Sequence, residues 1–479
     1  MLFRMLYDRK LAQAAYLIGC QKTGEAIVID PQRDVDRYIE EARRERVRIS
    51  AIAETHIHAD FLSGARELAE RTGARLYLSD GGDEDWKYRW LDKNQGGGGY
   101  DHQLLTDGDE FKVGNIRFTA LHTPGHTPEH LCYLVTDVGG GIEEPMGMAS
   151  GDFVFVGDVG RPDLLETAAG QAGVKEKSAQ LLYRSIHRFK ELPDYLQLWP
   201  GHGAGSACGK ALGAVPQSTV GYEKRFNVAI ADANDEGKFV ESILYGQPEP
   251  PLYFARMKRE NRDGPALLGT LPEPSPLNAE QLKKLVSRDV AILDTRPWSQ
   301  YTQGHLPKAL FAPLSTAFPT IAGSYVEPGV PIYLIVDEKR VREAVIDLIH
   351  VGLDEIVGYA RPETLIEYQK KGGTLAKSNY MEITKLNDDL TEAETLLLDV
   401  RRADEFDAGH LPDAGNIAHT RLLAHLEDIP KDKKLMVYCE TGSRSKYATA
   451  LLERYGFIAT QLDGGYAVWQ KAGRKVSRS

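Results

Sequence analysis

The chain is poor in cysteine and has no excess of positive charge. Its four cysteines, Cys20, Cys132, Cys208 and Cys439, are scattered over 479 residues and make no disulfide framework, which fits a reducing compartment. Lys and Arg total 58 against 69 Asp and Glu, a formal net charge of −11. That balance argues against a surface for nucleic acid or for an anionic membrane, because both reward cationic faces. No apolar run is long enough to span a bilayer, and Arg4, Asp8, Arg9 and Lys10 break up any secretory core near the start. A cytoplasmic protein with neither a nucleic-acid nor a membrane partner is expected. Low-complexity tracts are also missing, and 42% hydrophobic with 27% charged residues is a globular composition. A single core does not suffice at this length, so two to four domains are expected.

What is present concentrates first around Thr55-His56-Ile57-His58-Ala59-Asp60-Phe61. Ile49–Ala53 before it reads as a short buried strand, and Ser63–Leu68 after it opens a helical pattern. Two histidines two apart on such a loop can turn their rings to one side, and neutral imidazole is the commonest metal ligand. A solvated histidine-rich turn would look similar, so the run gains weight from its company. Downstream come Thr123-Pro124-Gly125-His126-Thr127, then Gly151-Asp152, then Pro200-Gly201-His202-Gly203, each beside an apolar strand-like run. Strand and helix patterns alternate around them, which predicts a layered α/β domain over residues 1–245. Within it, Asp80–His102 is a polar stretch holding Trp86, Tyr88, Trp90 and the glycines Gly96–Gly99. It reads either as a lid or oligomer contact near the site mouth or as a loose surface insertion. A homo-oligomer is expected.

Prolines at 248, 250, 251, 265, 272, 274 and 276 predict an extended connector over 246–276. Beyond it the chain repeats itself. Asp294-Thr295-Arg296 with Gly304-His305-Leu306-Pro307 recurs as Asp399-Val400-Arg401 with Gly409-His410-Leu411-Pro412. A repeat of about a hundred residues is a duplicated domain, since solenoid units are far shorter. In the second copy the strand Leu435–Tyr438 runs into Cys439-Glu440-Thr441-Gly442-Ser443-Arg444-Ser445 and then a helix. A cysteine placed there sits among backbone N–H groups beside a helix N-terminus, suited to stabilise a thiolate. Gly442 allows the curl, and Arg444 adds positive charge. The first copy has Asp337-Glu338-Lys339-Arg340 in the corresponding loop. It holds no cysteine nucleophile, so that copy is expected to be silent and structural.

The four histidine- and aspartate-bearing segments, in this order, resemble the ligand layout of the metallo-β-lactamase superfamily. Binuclear members carry His-x-His-x-Asp-His, whereas Phe61 stands at the last position here and cannot coordinate. One metal is therefore expected, the second position keeping only Asp60 and His202 beside Asp152. Through Gly125–Glu129, Gly157–Leu164 and Ser218–Lys224 the chain is similar to the persulfide dioxygenases. That resemblance implies Fe(II), one per chain, held by His56, His126 and Asp152. Two histidines and one carboxylate also suit the facial triad of oxygen-activating non-haem iron. His58 stays open. It is either an outer partner or, together with His56 and His126, a ligand of a three-histidine zinc site. Arg161 either holds a carboxylate of the thiol co-substrate or anchors its own loop. Cys208 either faces the metal pocket and handles sulfur or is a buried bystander.

Both C-terminal copies resemble rhodanese domains, 277–375 without the cysteine and 383–479 with it. Cys, four residues, then Arg makes the short loop of sulfur-transferring members, Cys439 to Arg444. The fold so implied is α/β, a metallo-β-lactamase αββα sandwich followed by two rhodanese-like doubly wound α/β domains. The implied reaction takes a low-molecular-weight thiol persulfide and O2 to sulfite and thiol. Cys439 then passes sulfane sulfur to sulfite, giving thiosulfate, a route for sulfide detoxification. The alternatives are a zinc thioesterase of the glyoxalase II kind joined to a sulfurtransferase, or a non-catalytic sulfur-relay or sensor protein.

Overall fold

The computed structural model describes residues 1–91, 98–164, 173–206, 208–209, 212–231, 233–386 and 395–478. The chain divides into two compact units, Met1–Gly269 and Thr270–Ser479. Among the described residues, no helix is long and apolar enough to cross a membrane.

The first unit holds two six-stranded mixed sheets. One runs Leu2–Asp8, Gln13–Cys20, Glu25–Ile29, Arg48–Ala53, Arg75–Ser79 and His102–Leu105 in that spatial order. The other runs Ser218–Thr219, Gln197–Pro200, Gly147–Gly151, Leu131–Asp137, Ile116–His122 and Glu110–Val113. Strand Gln13–Cys20 is buried along its whole length because it is covered on both faces. Ala15 and Leu17 pack toward the helical side with Tyr38, Ala42 and Leu68. Tyr16 and Ile18 face the other way, into an inter-sheet core with Phe111, Phe118, Tyr133 and Trp199. A third core joins Met148 and Leu198 to Leu182, Ile186 and Phe189 of helix Lys175–Glu191. Three apolar layers between four structural layers make an αββα sandwich.

Two expectations are corrected in this unit. Asp80–His102 is no loose insertion or lid over its described part. Trp86, Tyr88 and Trp90 are buried in the helical-side core of the first sheet, together with Ile52, Leu68 and Leu76. Residues 92–97 of the stretch, including Gly96 and Gly97, lie outside the described residues. The three rings alternate with Lys87 and Arg89, so the segment looks polar by composition while burying its aromatics. The second correction concerns 246–276. It is not an extended connector throughout, because Phe254–Asp263 is a helix and the first unit runs on to Gly269. Pro250 and Pro251 precede this helix and Pro265 follows it, positions where a missing N–H or a restricted neighbour does no damage. Lys258 from this helix lies 4.1 Å over the Trp86 ring.

The second unit holds two five-stranded parallel sheets. Their spatial orders correspond strand for strand: Ser275–Pro276, Ile356–Ala360, Ile332–Ile335, Ala291–Asp294, Leu310–Phe311, and then Asn379–Glu382, Ile458–Asp463, Lys434–Tyr438, Thr395–Asp399, Gly415–Asn416. The repeated motif does the same work in each. Arg296 pairs with Asp294 and donates to the Gly304 carbonyl at 2.8 Å, and Arg401 pairs with Asp399 and donates to that of Gly409 at 2.7 Å.

Candidate functional site

The histidine loop lies between strand Arg48–Ala53 and helix Ala65–Thr72, and His56, His58, Asp60 and Phe61 are all buried. Its backbone is tied down from distant parts of the unit. Asn261 donates to the carbonyls of His58 and Phe61 at 2.8 Å each and accepts from the Ser63 N–H. Glu129 accepts from the Ile57 N–H at 2.8 Å, and Asp30 accepts from both the N–H and the hydroxyl of Thr55. Neither Asp30 nor Asn261 is marked in the sequence, because nothing local distinguishes a residue whose partner is remote in the chain.

His56, His126 and Asp152 converge, with one ligand atom from each lying within 4.8 Å of the others. Asp152 Oδ2 is 3.5 Å from His126 Nε2 and 4.0 Å from His56 Nε2. The outer ring nitrogens fix these orientations. His126 Nδ1 donates to the Arg161 carbonyl at 3.1 Å, and His56 Nδ1 lies 2.9 Å from the Thr55 hydroxyl, which itself donates to Asp30. Such partners hold the imidazole with Nε2 free to ligate. Burial, then the neighbouring histidines, pushes His56 well below its ordinary pKa, and burial likewise lowers His126. Burial thus favours the neutral ring in both, the form that binds metal. Both Asp152 carboxylate oxygens are buried without a hydrogen-bond partner among the described residues, which is costly unless a cation completes them. The donor set fits a metal ion.

His58 falls outside this triad. Its Nε2 lies 3.3 Å from Asp30; burial opposes its charge, but Asp30 and then Glu54 outweigh that and raise it to about 9. A second group, Asp60, His202 and Cys208, also lies within 4.8 Å. His122 and His130 serve the loop: His122 Nε2 donates to the Pro128 carbonyl, and His130 Nε2 accepts from the Asp152 N–H at 3.0 Å. Gly151, at φ 49°, makes this closeness possible, since a Cβ there would meet Thr55 Oγ1 at 2.5 Å and His130 Nε2 at 2.7 Å. Arg161 is buried and engaged within its own loop and with the chain beyond it. Its guanidinium pairs with Asp163 at 2.7 Å and donates to the Pro248 carbonyl.

In the second unit Cys439 follows strand Lys434–Tyr438 and is buried. Glu440, Thr441 and Gly442 curl to helix Ser443–Arg454. Gly442, at φ 96°, directs its N–H to Cys439 Sγ at 3.2 Å. Arg444 is held by both oxygens of Glu405, at 2.6 and 2.7 Å, and Glu440 accepts from Arg401 at 3.0 Å. Nothing in the sequence marks Glu405, because it comes from a helix well upstream. Burial, then Arg444, lowers the nearby His419 to about 3.

Residues 8–202 match the Metallo-beta-lactamase superfamily and residues 382–472 the Rhodanese-like domain. A crystal structure of a metallo-beta-lactamase from Staphylococcus aureus subsp. aureus COL is 41% identical, with a TM-score of 0.67, covering 75% of this chain and 99% of that one. The Beta-lactamase hydrolase-like protein of Xylella fastidiosa (strain 9a5c) is 29% identical over 58% of this chain; the match spans 63% of that protein's length. A Hydroxyacylglutathione hydrolase of Nitrosococcus oceani is 33% identical over 188 residues, 39% of this chain and 60% of the relative. The chain belongs to the metallo-β-lactamase superfamily and carries a rhodanese-like domain.

Proposed function

We propose that the first unit is an iron-dependent persulfide dioxygenase and that Cys439 performs the sulfur transfer that follows it. The observation that carries this reading is the donor set of His56, His126 and Asp152, with Phe61 in place of a further ligand. Iron bound there would supply the activation of O2 toward a persulfide sulfur. The chain's own residues do the rest. The Arg161 carbonyl and Thr55 hydroxyl hold the two rings in their ligating orientation, and the His58–Asp30 pair packs behind them. In the net reaction a thiol persulfide, dioxygen and water give thiol, sulfite and two protons. Cys439 takes sulfane sulfur from a second persulfide, releasing its thiol, and sulfite removes that sulfur as thiosulfate. The Gly442 N–H and the helix N-terminus stabilise the sulfur anion. The copy at 277–375 is a rhodanese-like domain without a nucleophile.

A zinc thioesterase is the second reading, favoured by the identity to the hydroxyacylglutathione hydrolase. Oxygen uptake by anaerobically iron-loaded protein on adding glutathione persulfide separates the two. The dioxygenase reading predicts rapid uptake with sulfite formed, abolished in His126→Ala. No uptake, together with zinc in the purified protein and thioester cleavage, would overturn it.

A further inference from the structure

Gln461 is a buried amide on strand Ile458–Asp463, inside a parallel sheet, and no step proposed above uses it. Such a group costs free energy there unless it is hydrogen-bonded. Its bonds run to the Cys439 loop. Nε2 donates to Ser445 Oγ at 3.3 Å and to the Gly442 carbonyl at 3.5 Å. Ser445, also buried, donates to the same carbonyl at 3.0 Å and lies 3.8 Å from Cys439 Sγ. A carbonyl oxygen only accepts, so the amide turns Nε2 to the loop. That leaves Oε1 buried without a hydrogen-bond partner among the described residues. A Cβ on Gly442 would meet Gln461 Nε2 at 3.3 Å, so the amide packs directly on the curl. The first copy's sheet does without an amide at this position. Leu334 there corresponds to Val437, and register sets Tyr359 beside Leu334 as it sets Gln461 beside Val437. The Tyr359 hydroxyl donates to Glu338 at 3.3 Å, in a turn with no positive φ. The amide goes with the curl.

We propose that Gln461, acting through Ser445 and the Gly442 carbonyl, is a positioning residue for Cys439. Its two amide N–H groups hold that carbonyl and the Ser445 oxygen, which keeps the Gly442 N–H on Sγ. With the carbonyl held, the Ser445 hydroxyl is free to turn its hydrogen to Sγ when the sulfur is anionic. The thiol proton leaves to solvent. The loop then offers the sulfur two donors, the Gly442 N–H and the Ser445 O–H, and hydrogen bonds to an ion are stronger than those between neutral groups. This role rests on the reading of Cys439 as the residue that carries sulfur.

The test compares the full chain with Gln461→Met, which keeps the length but loses the amide, and with Ser445→Ala. One readout is thiosulfate formed from glutathione persulfide and sulfite, above the Cys439→Ala background. The other is the pH profile of Cys439 alkylation by iodoacetamide, followed on its own peptide by mass spectrometry. Gln461→Met should cut thiosulfate formation about tenfold and move the alkylation profile about one pH unit higher, the size expected for a lost hydrogen bond to an ion. Ser445→Ala should move the profile the same way, and it covers a Gln461→Met chain that fails to fold. An unmoved profile in either folded variant would overturn the positioning, even where transfer falls. Alkylation needs no sulfur transfer, so a profile that moves while the wild type makes no thiosulfate would sink the sulfur-carrier reading alone.

Discussion

The two sheets of the second unit share strand order, the Asp–Arg clasp and a histidine stacked on an aromatic ring. Tyr301 stacks on His305 at 3.8 Å and Phe406 on His410 at 3.7 Å. They part at one turn. Strand register sets Ile335 opposite Asp294 and Tyr438 opposite Asp399, so Val336 stands where Cys439 does. After Val336 the chain enters a short 3-10 turn, Glu338–Arg340, capped by Asp337. No residue of 337–340 has positive φ, whereas Gly442 does. The scaffold therefore survives without the curl at Gly442, because packing maintains the sheet. The two copies are joined by packing. Ala450, on the helix that follows Cys439, belongs to the first copy's core, and Arg454 donates to the carbonyls of Lys308 and Val290.

The largest effect expected is at the turn itself. Cys439→Ala lowers persulfide-to-sulfite transfer by about a thousandfold or more, because it removes the group that carries the covalent intermediate. Val336→Cys gains no transfer in a Cys439→Ala background, since a thiol without the curled backbone is not enough; activity there would break the comparison. Next, Ala450→Asp buries an unpaired charge between the copies and destabilises the second unit by about 3 kcal/mol, read by urea unfolding.

Glu453 gives a pH signature at the same seam. Burial raises it to about 7 against the Ser378 hydrogen bond. An acid whose folded pKa is raised contributes stability that is complete below its unfolded value and is lost as pH rises through the folded one. Unfolding of the second unit should thus become easier between about pH 4.5 and 7, by roughly 1–3 kcal/mol. Glu453→Gln should flatten that dependence. Smallest is Glu405→Gln, which frees Arg444 of its counter-charge and should lower KM for sulfite roughly a few-fold in steady-state assays.

The local signals are legible in the sequence. The His56 loop, the His126 turn and the Cys439 loop can be read because each chemistry needs particular residue types at short spacing. The repeat can be read from its Asp–Arg and Gly-His-Leu-Pro pairs. Strand Leu2–Asp8 cannot, because Arg4 and Asp8 interrupt its apolar run at a sheet edge. Helix Phe254–Asp263 is hidden by flanking prolines. The clasp of Asn261 on the His58 loop and that of Glu405 on Arg444 join residues far apart in the chain, which no local pattern records.

The proposed coupling of dioxygenase and sulfur-transfer chemistry is tested most directly by following oxygen uptake and sulfur products together, in the iron-loaded wild type and in Cys439→Ala, with excess glutathione persulfide. Equal uptake, with thiosulfate in the wild type replaced by sulfite in the variant, is the predicted result. Thiosulfate formed unchanged without Cys439, or no oxygen uptake in either protein, would contradict it.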